Sequence, residues 1–247
     1  LHPKSPRSIL YAAFGAFTGA FLALTFFVVK SALFGIRVSP SNLKANHLHY
    51  SGELTDRAHI SSREDLRDLD LDTLRRLTAY VTSNPKVTRG QSLLLLNGAG
   101  IDYSKALADL LAKRDLKVLL LPIVFKLSDK NIGEGLIDYL EKRIDEPKIV
   151  SEGMYDCIYE GGASRFVTEL VASSRFKNLL NKLQDQYDWI VVVSDVMPAS
   201  GQAEALLKIF DHTVVNLTHE NISDLKFYMS YKENTEAFKK VSFVFTI

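Results

Sequence analysis

The chain opens with one long apolar run and then settles into a rhythm of short apolar stretches and longer amphipathic ones. Residues 8–29 read SILYAAFGAFTGAFLALTFFVV, 22 residues without a charge. At 1.5 Å per residue such a helix is ~33 Å long, enough to cross a ~30 Å hydrocarbon core. Gly15 and Gly19 form a GxxxG spacing, and Ala12, Ala16 and Ala20 widen the same face. Small residues on one face let a second membrane helix approach closely. A secretory signal peptide is the competing reading. It would have a shorter apolar core and a small-residue cleavage site, and no convincing one precedes Lys30.

Residues 38–60 are polar, with Pro40, Asn42, Asn46 and three histidines, and read as a linker. His47 and His49 have no acid or thiol at ligand spacing, which favours a solvated segment over a metal site. From 65 to 83 the apolar positions Leu66, Leu69, Leu71, Leu74, Leu77, Tyr80 and Val81 predict an amphipathic helix, with Pro85 beyond its end. Strands are expected at 92–96, 117–121, 189–194, 212–217 and 241–246, with marginal ones at 149–150 and 157–159. Helices are expected at 103–114, 135–143, 166–184, 203–210 and near 223–238. Continuous Val/Leu/Ile strands alternating with helices imply a mostly parallel α/β sheet covered on both faces.

Charge separates the two parts. The 247 residues carry 30 basic and 29 acidic side chains, a net charge of +1. Residues 1–37 hold Lys4, Arg7, Lys30 and Arg37 and no acid, which leaves 26 basic against 29 acidic side chains in the rest. Near-neutrality argues against a nucleic-acid partner. Lys30, Arg37 and Lys44 outnumber Lys4 and Arg7 and favour a cytoplasmic C-terminal part. Leu1 is not methionine, so the chain is expected to begin inside a longer protein. A lone Cys157 excludes an intrachain disulfide, and its apolar surroundings favour an inert thiol.

Ligands of parallel sheets bind at the carboxyl ends of the strands. After the first core strand stands Asn97-Gly98-Ala99-Gly100-Ile101-Asp102-Tyr103-Ser104-Lys105, leading into a helix. Strand, glycine-rich turn and helix are the setting of a phosphate loop. Here Lys105 follows Ser104, and bulky Tyr103 takes the place before it. Gly98, Gly100, Ser104 and Lys105 are therefore candidates for a degenerate phosphate loop, with a plain structural turn as the competing reading. Asp195 is the acid placed to touch a metal-bound water, or else a turn former. No catalytic Ser/His/Asp set can be assigned. The sequons at Asn216 and Asn221 would matter only in a secreted eukaryotic chain.

Several stretches resemble the second half of a bacterial polysaccharide co-polymerase fused to a tyrosine autokinase. The segment 2–8 (HPKSPRS) resembles that family's Pro-rich entry to its second membrane helix, and 71–77 (LDTLRRL) its Glu-x-x-Arg oligomer-contact helix. Residues 135–140 (GLIDYL) resemble its Gly-Leu-x-x-x-Leu segment. The most specific match is Thr168-Glu169-Leu170-Val171-Ala172-Ser173 followed by Tyr187-Asp188-Trp189-Ile190-Val191-Val192. The departures fall at the chemistry. Gly100 lies near the place of the phosphate-loop lysine, and Pro122 and Val124 replace the magnesium-holding Asp-x-Asp. Val193 aligns with the terminal aspartate unless a two-residue slip recruits Asp195. The family's tyrosine-rich tail finds no match before Ile247, with Tyr228 and Tyr231 the nearest tyrosines.

The resemblance implies a transmembrane helix with flanks at 1–37, a linker at 38–60 and a kinase-like α/β domain at 61–247. Phosphoryl transfer depends on charge neutralisation by Lys and Mg²⁺. Loss of these groups implies a non-catalytic, pseudokinase-like scaffold of a polysaccharide chain-length or export system, with no cofactor. The alternative is an autokinase that still binds ATP and Mg through an irregular loop. A third reading is a degenerate relative of membrane-anchored partitioning ATPases. The expected location is the bacterial inner membrane. Expected partners are further copies of the chain and polysaccharide polymerase or export proteins. Gly15 and Gly19 in the membrane, and Arg75 and Arg76 in the cytoplasm, would carry the self-contacts.

Overall fold

The computed structural model describes residues 7–34, 39–45, 47–55, 68–83, 89–96, 103–123, 134–196, 200–218 and 241–246. The apolar run forms one helix, α1 (Arg7–Phe34). Its segment Tyr11–Lys30 is long and apolar enough to cross a membrane, and none of it is buried against the rest of the chain. Gly15 and Gly19 have open space where a Cβ would stand.

The remaining elements are α2 (Pro40–Ala45), β1 (His49–Leu54), α3 (Asp68–Val81), β2 (Gln91–Leu96), α4 (Ser104–Ala112), β3 (Val118–Ile123), α5 (Leu136–Leu140), β4 (Ile149–Glu152), β5 (Tyr155–Ile158), α6 (Val167–Ala172), α7 (Ser174–Gln184), β6 (Trp189–Ser194), α8 (Gly201–Leu207), β7 (His212–Thr218) and β8 (Val241–Thr246). The strands make a single eight-stranded sheet in the order β1-β8-β7-β2-β6-β3-β5-β4. Every pairing is parallel except the β4–β5 hairpin.

Alternation along the strands builds two cores. Leu94, Leu96, Leu119, Leu121, Ile190 and Val192 point to the side covered by α2 and α5 to α8. Leu93, Leu95, Val118, Leu120, Trp189 and Val191 point to the side covered by α3 and α4. Strands buried on both faces must be apolar at every position, and this is why they read as continuous runs.

Three expectations change. The segment 38–60, expected as a linker, contains α2 and the edge strand β1. β1 (HYSGEL) lacks an apolar run because its inward positions serve close approach and hydrogen bonding. Ser51 Oγ and His49 Nδ1 lie 2.7 and 2.9 Å from Ser242 Oγ of β8. Gly52 has φ 149°, and a Cβ there would stand 2.5 Å from Thr73 Oγ1 of α3. His47 has φ 55° and precedes the strand, so it does not share a strand face with His49. The helix expected at 166–184 is two helices, divided at Ser173, whose backbone is extended and whose Oγ accepts the Phe176 amide of α7. β3 runs on through Pro122. Its pairing with β5 ends at Leu120, so beyond that point no described strand pairs with one side of β3, where a proline is tolerated. The helix expected near 223–238 lies outside the described residues.

Candidate functional site

The carboxyl ends of the central strands form one row, because Leu96 pairs with Ser194 and Ser194 with Ile123. Glu160 lies two residues beyond the end of β5, the strand that pairs with β3 at Leu119 and Leu120. Asp195 follows Ser194 directly. Burial pushes the Glu160 carboxyl up, and the neighbouring Asp195 charge adds to the effect. Two half-buried carboxylates therefore share this edge, where the sequence reading placed Asp195 alone. The missed signal was positional, an acid just past the short apolar run that forms β5.

Ser104 is the first residue of α4 and fully buried, while Lys105 beside it is exposed. The Lys105 charge is felt at Cys157. Burial, with help from Glu152, pushes that thiol up to about 11, and Lys105 only partly offsets it. Buried and protonated, Cys157 is an inert core residue. Tyr103 leaves the turn altogether. It is buried among the side chains between α3 and the sheet, its hydroxyl donates to the Thr55 carbonyl beyond β1, and it gives α4 no side-chain cap. Gly98 and Gly100 lie outside the described residues.

The donor set decides what this edge can hold. A magnesium–triphosphate needs a lysine on the phosphates and a carboxylate or hydroxyl on the metal. β3 ends in Leu121, Pro122 and Ile123, which offer no side-chain ligand. Tyr103 occupies the place before Ser104, and Lys105 points from the exposed face of α4. Among the described residues Ser104, Glu160 and Asp195 are the groups that could face a metal, and no lysine precedes Ser104 to neutralise phosphate; the turn 97–102 lies outside them.

No family model matches the sequence, and no curated protein matches it. Solved structures do resemble it. The kinase domain of Escherichia coli tyrosine kinase ETK superposes with a TM-score of 0.63 at 18% identity, over 84% of this chain and 92% of that one. The BceF tyrosine kinase domain gives 0.64 at 19%, over 85% and 98%. The chimerical protein CapA2B2 gives 0.62 at 18%, over 83% and 98%. This chain has the tyrosine kinase domain fold.

The remaining sequence candidates lie elsewhere. Leu74, Leu77 and Val81 bury the inner face of α3. Arg75 and Arg76 are exposed, and Arg76 pairs with Asp72 at 2.5 Å. A cleft of about 600 Å³ opens at the opposite, amino-terminal edge of the sheet, lined by Arg89, Gln184, Tyr187, Trp189 and His212 among others. Several of its polar groups are engaged in bracing the fold. Arg89 donates to Asn181 at 3.0 Å and to Gln184, and Gln184 donates to Asp211 at 2.9 Å. Asp211 also accepts the Ser92 amide and hydroxyl at 2.9 and 2.7 Å. Asn216, the first sequon asparagine, is buried in β7 and accepts from Thr246 Oγ1 at 2.7 Å, so the folded chain offers it to no glycosylating enzyme.

Proposed function

We propose that this chain is a non-catalytic, membrane-anchored scaffold of a bacterial polysaccharide chain-length or export system, built on a tyrosine kinase fold. The observation that carries the reading is the ligand edge. A kinase-type sheet places the paired carboxylates of Glu160 and Asp195 there, without a lysine before Ser104 and without an acid on β3. In this reading residues 1–37 carry the inner-membrane anchor and 61–247 the kinase-like domain, to which α2 and β1 add. The domain lies on the cytoplasmic side, oligomerises through the Gly15–Gly19 face and the Arg75–Arg76 face, and docks polymerase or export proteins.

The buried hydroxyl of Ser104 at the start of α4 keeps one observation on the side of an ATP-binding autokinase. Titration of the full chain in detergent with ATP and Mg²⁺ separates the two. The scaffold reading expects no saturable binding at millimolar ATP and no labelled phosphate on the protein. Saturable, magnesium-dependent binding that Lys105→Ala or Asp195→Asn weakens tenfold or more would overturn it in favour of the enzyme.

A further inference from the structure

The sheet has two outer strands, and they differ. β1 carries a register irregularity between Tyr50 and Gly52, and irregular edges resist pairing with other chains. β4 is regular, each of Ile149, Val150, Ser151 and Glu152 facing a single residue of β5. Among the described residues no strand pairs with its outer side. Among the described residues outside α1, five large apolar side chains are exposed, and three of them, Ile149, Met154 and Tyr159, lie on this hairpin or at its exit. An edge without bulge or proline and with exposed apolar neighbours can pair with another strand, provided that strand complements its charges.

The sequence along this edge says which strand. Lys148, Ile149, Val150, Ser151 and Glu152 read as cation, apolar, apolar, polar, anion. A second copy running antiparallel and centred on Val150 puts Lys148 opposite Glu152 twice over, Ile149 opposite Ser151, and Val150 opposite itself. Lys148, Val150 and Glu152 share one face of the strand, so the two ion pairs flank the central valines. Both charged groups are accessible. The Lys148 ammonium makes an exposed pairing with the Glu134 carboxylate at 3.5 Å, its amide donates to the Glu134 carbonyl at 3.0 Å, and Glu152 accepts the Tyr159 hydroxyl. β1, through which the chain arrives from α1, is the farthest strand from β4.

We propose that two copies of this chain join through β4, antiparallel and two-fold symmetric about Val150, to make one continuous sheet across both molecules. A closed two-fold contact of this kind needs only one self-complementary edge. Five paired residues on each strand give a modest contact, which confinement to one bilayer strengthens by raising the effective concentration. The pairing is independent of whether the domain binds nucleotide.

The test uses the full chain in detergent and in proteoliposomes. Cys157 faces Val150 across the hairpin and is replaced by alanine, so that Val150→Cys can cross-link only between molecules. Mild oxidation is expected to give a covalent dimer. Lys148→Glu or Glu152→Lys alone places like charges at both pairs and should reduce that dimer about tenfold. The double exchange, or a mixture of the two single variants, should restore it. In case Cys157→Ala perturbs folding, the same charge variants are made with Cys157 intact and differently tagged. Co-purification should then fall for each single variant and recover in the mixture, the remainder being carried by the Gly15–Gly19 and Arg75–Arg76 faces. Absence of the covalent dimer together with unchanged co-purification would overturn the proposal, as would a dimer indifferent to the charge exchange.

Discussion

At the residue scale, the most informative polar group in the soluble part is His49. Its ring stacks on Tyr80 of α3 with centroids 3.5 Å apart, and its Nδ1 meets Ser242 Oγ. Burial holds its pKa below the usual 6.5, so the folded chain prefers the neutral ring. The stability this contributes is full above 6.5 and is lost as pH falls below it, because the unfolded chain takes up the proton more readily. Urea unfolding of the full chain in detergent should therefore show lower stability at pH 5.5 than at pH 7.5, and His49→Gln should flatten that part of the difference. An unchanged pH dependence in the variant would assign it to other groups. Asp138 is the acidic counterpart. Burial by itself would raise its pKa, but the Gly162 amide, Arg143 and the Gly135 amide outweigh it and hold the carboxyl below its ordinary value. Its contribution is present above about pH 4 and fades only in acid.

At the element scale, the short helix α5 depends on how closely two backbones meet. The amides of Leu136 and Ile137 donate to the carbonyls of Tyr159 and Glu160, both at 2.8 Å. Asp138 ties the arrangement by accepting from Gly162 at 2.9 Å and from Arg143 at 2.9 Å. A Cβ on Gly135 would stand 2.2 Å from the Gly161 amide nitrogen, and Gly161 itself has φ 84°. Backbone cannot yield as a flexible side chain does. Gly135→Ala should therefore cost about 2–3 kcal/mol and lower Tm by roughly 5–10 °C in a thermal melt. A shift within error would mean that the β5 exit moves freely. Because Glu160 lies in the same crossing, α5 is also what places the second carboxylate beside Asp195.

At the scale of the whole molecule, one apolar helix and one doubly covered sheet are joined within a few residues. α1 ends at Phe34 and α2, whose Leu43 is fully buried in the core, begins at Pro40. Five intervening residues span at most ~20 Å, so the domain is held close to whatever surface α1 occupies. With the flanking charges favouring a cytoplasmic C-terminal part, a fluorescent-protein fusion after Ile247 should fluoresce in a bacterial host and the chain should resist carbonate extraction. A dark fusion that becomes active as a periplasmic phosphatase fusion would reverse the orientation.

Much of this architecture is local and was legible in the chain. Trp189–Ser194 and Val241–Thr246 form strands at the boundaries expected, because strands buried on both faces cannot hide their apolar character. The membrane-length helix is equally local, since an uncharged run has one period and one length. β1 was not legible. Of its three buried positions only Leu54 is apolar; the other two are Ser51 and Gly52, which serve Ser242 and contact with Thr73, partners 191 and 21 residues away in sequence. Nor was the break at Ser173, where a serine inside a helical pattern becomes a cap only because two helices pack separately. The site divided in the same way. Asp195 and Ser104 follow directly from strand ends and a helix start. Glu160 joined them only when β5 fell into register beside β3, and Tyr103 left the turn for the core. Short-range periodicity determines which segments are strands and helices. The order of the strands in the sheet, set by packing between residues far apart in sequence, decides which charges meet at its edges.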